Sequence, residues 1–235
     1  KFSGVTEQEG ERMVATIRYR GPDEPGVERV GNSIVGHARL AVVDPENGKQ
    51  PMSNTDGTVW VVFNGEIYNY VEIREDLKRK GYRFKSRCDT EVLVHLWREK
   101  GEAMLDDLIG MFAFFIWDTR DNRGMLARDR IGIKPCFIAN HGAGLAFASE
   151  LKAILTLPGF QKEIDFQSLL LTHSFNYCPP PRTCFKGITQ LEPGTYLLFE
   201  GAQAPTQHRY WQWPLYDARV TPSMEEFEAL MDDAV

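Results

Sequence analysis

Residues 58–69 read TVWVVFNGEIYN: a run of β-branched and aromatic residues that gives way to Asn64-Gly65-Glu66-Ile67-Tyr68-Asn69. The first half predicts a buried strand. The second half puts polar groups at the strand's end, where a rigid scaffold can present them. Asn64 offers a side-chain amide donor, and Gly65 lets its backbone N–H come close to a ligand. Two fixed donors aimed at one oxygen make an oxyanion hole for acyl transfer. On these two letters alone, an Asn-Gly hairpin turn is the plainer reading.

Working outward, residues 33–43 (SIVGHARLAVV) predict a second strand, and the Pro/Asn/Gly/Asp-rich residues 44–57 a loop between the two. Residues 7–19 carry Met13, Val14 and Ile17 on one face, which suits an amphipathic helix ended by Arg20-Gly21-Pro22-Asp23. Helices are predicted over 71–80 and 90–100, then strands over 111–117, 124–128, 136–139 and 145–148. Asp121-Asn122 and His141-Gly142 read as hairpin turns. Short helices at 150–155 and 166–172 and a strand at 194–199 follow. Residues 201–216 read as irregular, and a helix capped by Ser223, with Glu225 and Glu226 in its first turn, occupies 223–235. Strands in meander order with helices around them predict an α+β layered domain and not a parallel βαβ fold.

The composition agrees with a packed core: of 235 residues, 43% are hydrophobic and 11% aromatic. A net charge of -6 and scattered Lys and Arg leave no footprint for nucleic acid or a membrane surface. The most apolar run, residues 110–117 (GMFAFFIW), is far too short to span a bilayer, and the polar opening shows no signal-peptide pattern. Cys88, Cys136, Cys178 and Cys184 form no CxxC pair and no pattern with histidine, so no metal site is expected. So few cysteines suit a reducing, cytoplasmic setting.

Eight segments occur in a telling order: RGPD (20–23), HARLAVVD (37–44), Gln50-Pro51-Met52, NGEIYNY (64–70), Asp89-Thr90-Glu91, GMFAFFIWD (110–118), ARDRIGIKP (127–135) and FASEL (147–151). On these the chain resembles the N-terminal domain of the glutamine-hydrolysing asparagine synthetases over nearly its whole length. Amidotransferases that make glucosamine phosphate or phosphoribosylamine share the NG element but differ around residues 20–23 and 127–135. The resemblance implies an N-terminal-nucleophile hydrolase fold, two stacked antiparallel sheets flanked by helices (αββα). It further implies a type 2 glutamine amidotransferase (glutaminase) domain over 1–212, with 213–235 as linker and start of a synthetase domain. In that family an N-terminal cysteine attacks the glutamine amide carbon, and a γ-glutamyl thioester forms before water releases glutamate. Ammonia would pass to the synthetase domain of the same chain, where ATP and Mg²⁺ activate aspartate; no cofactor is expected in this segment. A homodimer is the family's expectation, and L-glutamine the ligand.

By position, the resemblance makes Arg39 the clamp for the glutamine α-carboxylate, a task that suits a planar guanidinium. Arg39 also interrupts an apolar strand, where an unpaired charge is costly. Leu40, Ala41, Val42 and Val43 are expected to continue that strand and line the pocket with backbone. Asn64 and Gly65 become the oxyanion hole, Glu66 a contact to the same amino acid, and Asp89 the partner of the α-ammonium. Asp89 also reads as the N-cap of the next helix. No cysteine precedes Cys88, and Cys88 is internal, without a free amine, beside a carboxylate that should suppress its thiolate; it reads as a small buried hydrophobe. The expectation is that a segment carrying the nucleophile lies ahead of residue 1, and that the chain as given binds glutamine weakly without hydrolysing it. A cysteine-less scaffold, or an amidotransferase with another acceptor, is the alternative. Plainer roles fall to Asp23 (loop shape), Tyr68 and Asn69 (loop fixing), and Asp129, Arg130 and Lys134 (a structural ion-pair and turn network). The five histidines carry no metal spacing, and Trp211, Trp213 and Tyr216 read as packing.

Overall fold

The computed structural model describes residues 6–41, 44–142, 144–214 and 223–234. Thr6 opens helix α1 (Glu7–Ile17) with a reciprocal cap: its hydroxyl accepts the Glu9 N–H, and the Glu9 carboxylate accepts the Thr6 N–H at 2.6 Å. A 3-10 turn, Arg18–Arg20, leads to strands β1 (Glu24–Val30) and β2 (Ser33–Arg39), which form an antiparallel hairpin. Strand β1 has no sequence signature, because Pro25, Gly26 and three charged residues mask its pattern. The expected run of strand from Arg39 through Leu40 and Ala41 is corrected: β2 stops where its partner ends, at the pair Glu24–Arg39. Two residues on, the Ala41 N–H donates to the Asp23 carboxylate at 2.8 Å, so the backbone leaves the ladder. Val42 and Val43 lie outside the described residues.

The chain continues through β3 (Met52–Ser53), β4 (Val59–Ile67), α2 (Tyr70–Arg79), α3 (Thr90–Lys100), β5 (Gly110–Asp118) and β6 (Arg123–Arg128). Then come β7 (Phe137–His141), β8 (Gly144–Ala148), α4 (Leu151–Ile154), α5 (Phe166–Phe175), β9 (Ile188–Gln190), β10 (Thr195–Glu200), β11 (Thr206–Arg209) and α6 (Met224–Ala234). Ser223 caps α6 as expected, its hydroxyl accepting the Glu226 N–H at 3.1 Å.

One sheet has six antiparallel strands in the order β11-β10-β6-β5-β4-β3; the described residues also form the ladders β1-β2 and β8-β7-β9. The apolar run in β5 shows how the layers stack. Phe112, Phe114 and Ile116 point to one face, into a core with Leu93, Leu96 and Leu105 from the helical side. Ala113, Phe115 and Trp117 point to the other, into a core with Val30 and Val35 of the first ladder and Leu145 and Phe147 of the second. Behind the second ladder, Ala139, Ala146 and Ile188 pack with Ile154, Leu157 and Met13. The order of layers is helix, sheet, sheet, helix, as the αββα expectation has it.

The same alternation sets β4. Val61, Phe63 and Ile67 enter the helix-side core, which leaves Val62, Asn64 and Glu66 on the inter-sheet side. Asn64 and Gly65 are therefore neither a hairpin turn nor a loop after the strand. They pair with Ala113 and Phe112, and the strand runs on to the pair Ile67–Gly110. A break at residue 64 would pull Ile67, 1% exposed, out of the core.

Candidate functional site

A cavity of about 520 Å³ lies between the layers, and its walls include His37, Arg39, Asn64, Gly65, Glu66 and Ser149. Five of the residues singled out from sequence thus meet in one place, since Leu40 also lies on the wall, with its side chain 60% exposed.

Arg39 is only 5% exposed, yet its charge is met on several sides. Its guanidinium donates to the carbonyls of Asp44 and Pro45, both at 2.8 Å, and lies 3.6 Å from the Glu24 carboxylate. It packs so tightly on Gly48 that a Cβ there would stand 2.2 Å from Nη2. The loop after β2 is thereby wrapped around the guanidinium.

Gly65 faces the neighbouring strand: a Cβ would meet the Met111 carbonyl oxygen at 2.1 Å and the Phe112 Cα at 2.8 Å. That close approach, not a turn, explains the glycine. Asn64 reaches the other way, its Nδ2 donating to Ser149 Oγ at 3.3 Å. Glu66 is exposed on the same face.

Asp89 stands at the N-cap of α3 but makes no capping bond. Its carboxylate turns instead to β4 and accepts the Ile67 N–H at 3.1 Å. Burial pushes its pKa up and the Glu66 charge adds to this, while the Ile67 N–H acts the other way. Cys88 and Thr90, on either side, line the cavity. The loop that delivers Asp89 is held from beneath. Arg74, beside the Tyr70 and Phe84 rings, donates to the Cys88 carbonyl at 2.6 Å. The Glu91 carboxylate accepts the N–H groups of Lys85 and Ser86 at 2.8 and 2.7 Å and the Ser86 hydroxyl at 2.7 Å. Burial alone would raise the Glu91 pKa, but His95 and these loop donors outweigh it and hold it at about 2.

Cys88 is buried against the Ser86 hydroxyl, and burial pushes the Cys136 thiol up to about 12. Both are packing groups. Asp129 organises its turn by accepting the N–H groups of Phe112, Ile131, Ile133 and Lys134. The expected ion pair to Arg130 or Lys134 is corrected: among the described residues none forms. Asp129 is already occupied by backbone donors, and it is Arg128 that binds the neighbouring carbonyls of Gly132, Lys134 and Leu191. Asn69 fixes its loop as expected, bonding Ile109 N–H and Asp107 carbonyl. Tyr216 lies outside the described residues, while Trp211 and Trp213 pack edge to face at 5.0 Å.

Three cavity residues escaped the sequence reading. His37 has Nε2 3.0 Å from the Phe63 carbonyl and a buried Nδ1 without a partner; burial lowers its pKa to about 4, so the ring is neutral at pH 7. Gln50 is buried, accepts the Phe63 N–H at 2.7 Å and donates to Thr90 Oγ1 at 3.4 Å, tying β4 to α3. Ser149 follows β8, and its only sequence signal was the FASEL segment.

Two facing antiparallel layers between helices, with the polar end of a central strand opening into the inter-sheet cavity, define the fold of the N-terminal-nucleophile amidotransferases. A solved structure described as the allosteric regulatory enzyme of purine biosynthesis shares it, with a TM-score of 0.61 at 21% identity, covering 87% of this chain and 46% of that one. Glutamine phosphoribosylpyrophosphate amidotransferase from B. subtilis does so with a TM-score of 0.56 at 21% identity over the same shares. Residues 2–211 match the glutamine amidotransferase domain family, and the chain belongs to it. Among its relatives, asparagine synthetase [glutamine-hydrolyzing] 3 of Bacillus subtilis (strain 168) is 39% identical over 204 residues, 86% of this chain and 33% of that protein. Asparagine synthetase [glutamine-hydrolyzing] 1 of the same strain is 42% identical over 184 residues, 78% of this chain and 29% of that one. The Arabidopsis thaliana asparagine synthetase [glutamine-hydrolyzing] 3 is 47% identical over 142 residues, 59% and 24% of the two chains. The chain thus spans about a third or less of the length of these curated relatives.

Proposed function

We propose that this domain hydrolyses L-glutamine to glutamate and ammonia, and that the ammonia serves ATP-dependent amidation of aspartate in a synthetase region of the same protein. The observation that carries the reading is one inter-sheet cavity whose walls hold the amide pair Asn64 and Gly65 and the buried guanidinium of Arg39, with the Asp89 carboxylate behind the wall, between the lining residues Cys88 and Thr90 and bonded to the Ile67 N–H of the same strand. An α-amino acid presents a carboxylate and an ammonium at one end and an amide at the other. This set offers each group an opposite charge or a donor.

In this proposal Arg39 and the backbone after it receive the α-carboxylate, while Asp89 and Glu66 receive the α-ammonium. The bound amide carbonyl then faces Asn64 Nδ2 and the Gly65 N–H, which stabilise the oxygen as it becomes negative. The attacking thiolate is that of the N-terminal cysteine implied by the family resemblance; all four cysteines of this chain are internal and have no α-amine. ATP and Mg²⁺ would act in the synthetase region and not at the glutamine site. Four free cysteines support a reducing, cytoplasmic setting, and among the described residues no helix is long and apolar enough to cross a membrane.

The test uses the full-length protein carrying its native N-terminus. Glutamate release from glutamine and asparagine formation from aspartate, ATP and Mg²⁺ are measured together. No glutamate release sinks the glutaminase reading; glutamate release without asparagine sinks only the acceptor.

A further inference from the structure

The Asn64 side chain crosses the cavity to meet the other layer. Its Nδ2 donates to Ser149 Oγ at 3.3 Å, and Ser149 is the first residue after β8. A carboxamide has two N–H groups at one end and an acceptor oxygen at the other, all in one plane. Anchoring one N–H fixes that plane, so the second N–H is aimed and the oxygen is turned away. For an oxyanion donor this decides the sign of the interaction, because a flipped amide would set its oxygen against the developing negative charge.

The residue after Ser149 is tied to another element. The carboxylate of the next residue, Glu150, accepts from the Tyr19 hydroxyl and, at 3.0 Å, from Arg20 Nη1, and its other oxygen pairs with Lys152 Nζ at 3.0 Å. Lys152 sits over the Tyr19 ring, 4.0 Å from its centroid. Tyr19 and Arg20 belong to the 3-10 turn after α1, so this latch fastens the corner between β8 and α4 to that turn. Arg20, Asn64 and Ser149 all line the same cavity.

We propose that Ser149 is a positioning residue that orients the Asn64 carboxamide for the oxyanion, with Glu150, Tyr19 and Arg20 holding Ser149 in register. This rests on the oxyanion role given to Asn64 under the proposed function. Ser149 acts through Asn64, so its loss should change the chemical step and leave ground-state binding alone.

The test measures kcat and KM for glutamine hydrolysis by the full-length protein and four variants: Ser149→Thr, Ser149→Val, Asn64→Ala, and Asn64→Ala with Ser149→Val. Thr and Val have the same shape and differ only in the hydroxyl, which separates the hydrogen bond from packing. Ser149→Val is expected to lower kcat about tenfold, the size of one neutral hydrogen bond, with KM within about twofold of wild type. Ser149→Thr should restore most of kcat, and Ser149→Val should cost nothing further in the Asn64→Ala background. Equal kcat in the Thr and Val variants overturns the inference, as does a full tenfold loss on top of Asn64→Ala. A wild-type protein without glutaminase activity overturns the proposed function, and this inference with it.

Discussion

Gly65→Ala tests the strand geometry and the oxyanion assignment with one methyl group. The new Cβ would stand 2.1 Å from the Met111 carbonyl oxygen, 2.8 Å from the Phe112 Cα and 3.0 Å from the Met111 carbonyl carbon. A carbon and a carbonyl oxygen in close contact sit about 3.3–3.6 Å apart, so strands β4 and β5 must separate by about 1 Å. Nothing there can swing aside: all three atoms are backbone, and β5 is paired on both edges, with β4 and with β6. Overpacking of a core costs about 1–3 kcal/mol, and unyielding neighbours place this case near the upper figure. At about 2–4 °C per kcal/mol for a domain of this size, the midpoint of thermal unfolding should fall by about 6–12 °C. The same displacement moves the Gly65 N–H and Asn64 away from a bound amide. Losing one such donor lowers kcat by about 10²–10³. Urea and thermal denaturation of the full-length protein give the first quantity, and glutamate release the second. Wild-type stability in the alanine variant would refute the close-approach argument, and a destabilised variant with wild-type kcat would refute the oxyanion role.

Arg39→Met should cost about 3 kcal/mol in urea unfolding, because it leaves the carbonyls of Asp44 and Pro45 without their donor, while Glu24 keeps Lys49 as its partner. It should also raise the KM for glutamine at least about tenfold, the effect of losing a charged hydrogen bond; an unchanged KM would restrict Arg39 to a structural role. Asp89→Asn should separate stability from binding. The folded state raises the Asp89 pKa, so it binds the proton more tightly than the unfolded chain does, and stability declines as pH rises through that range. The neutral variant should therefore be more stable than wild type at pH 7 while its KM for glutamine rises about tenfold or more; lower stability at pH 7 would contradict the desolvation argument. His37 has the opposite slope. Its pKa falls from 6.5 to about 4 on folding, so its contribution is complete above pH 6.5 and is lost as pH drops toward 4. At about 1.4 kcal/mol per pH unit this is worth about 3 kcal/mol, seen as the change in the stability difference between wild type and His37→Gln across that window. A constant difference would show that the imidazole is not held neutral.

Parts of the site were legible for different physical reasons. Arg39 stood out as a charge within an apolar run, and the structure answers that oddity with Glu24 and two carbonyls. Asp89 could be placed before a helix, but both its readings concerned local backbone or ligand; its bond to the Ile67 N–H comes from a strand 22 residues away. His37 and Ser149 look unremarkable in sequence because their partners, the Phe63 carbonyl and Asn64, lie 26 and 85 residues distant.

Local chemistry alone determined the amphipathic helices, the capped start at Ser223, the buried β5 and the hairpin turns at Asn122 and Gly142, since each depends on neighbours within a few residues. Tertiary pairing decided where strands end and which way they face. Strand β2 stops at Arg39 because β1 offers no further partner, although the apolar letters continue. Strand β4 runs straight through Asn64 and Gly65 because β5 pairs with it as far as Ile67, although the same two letters suit a turn. A strand's hydrogen bonds are made to another strand, so its extent is a property of the pair; the alternation along β4 then turns Asn64 toward the cavity.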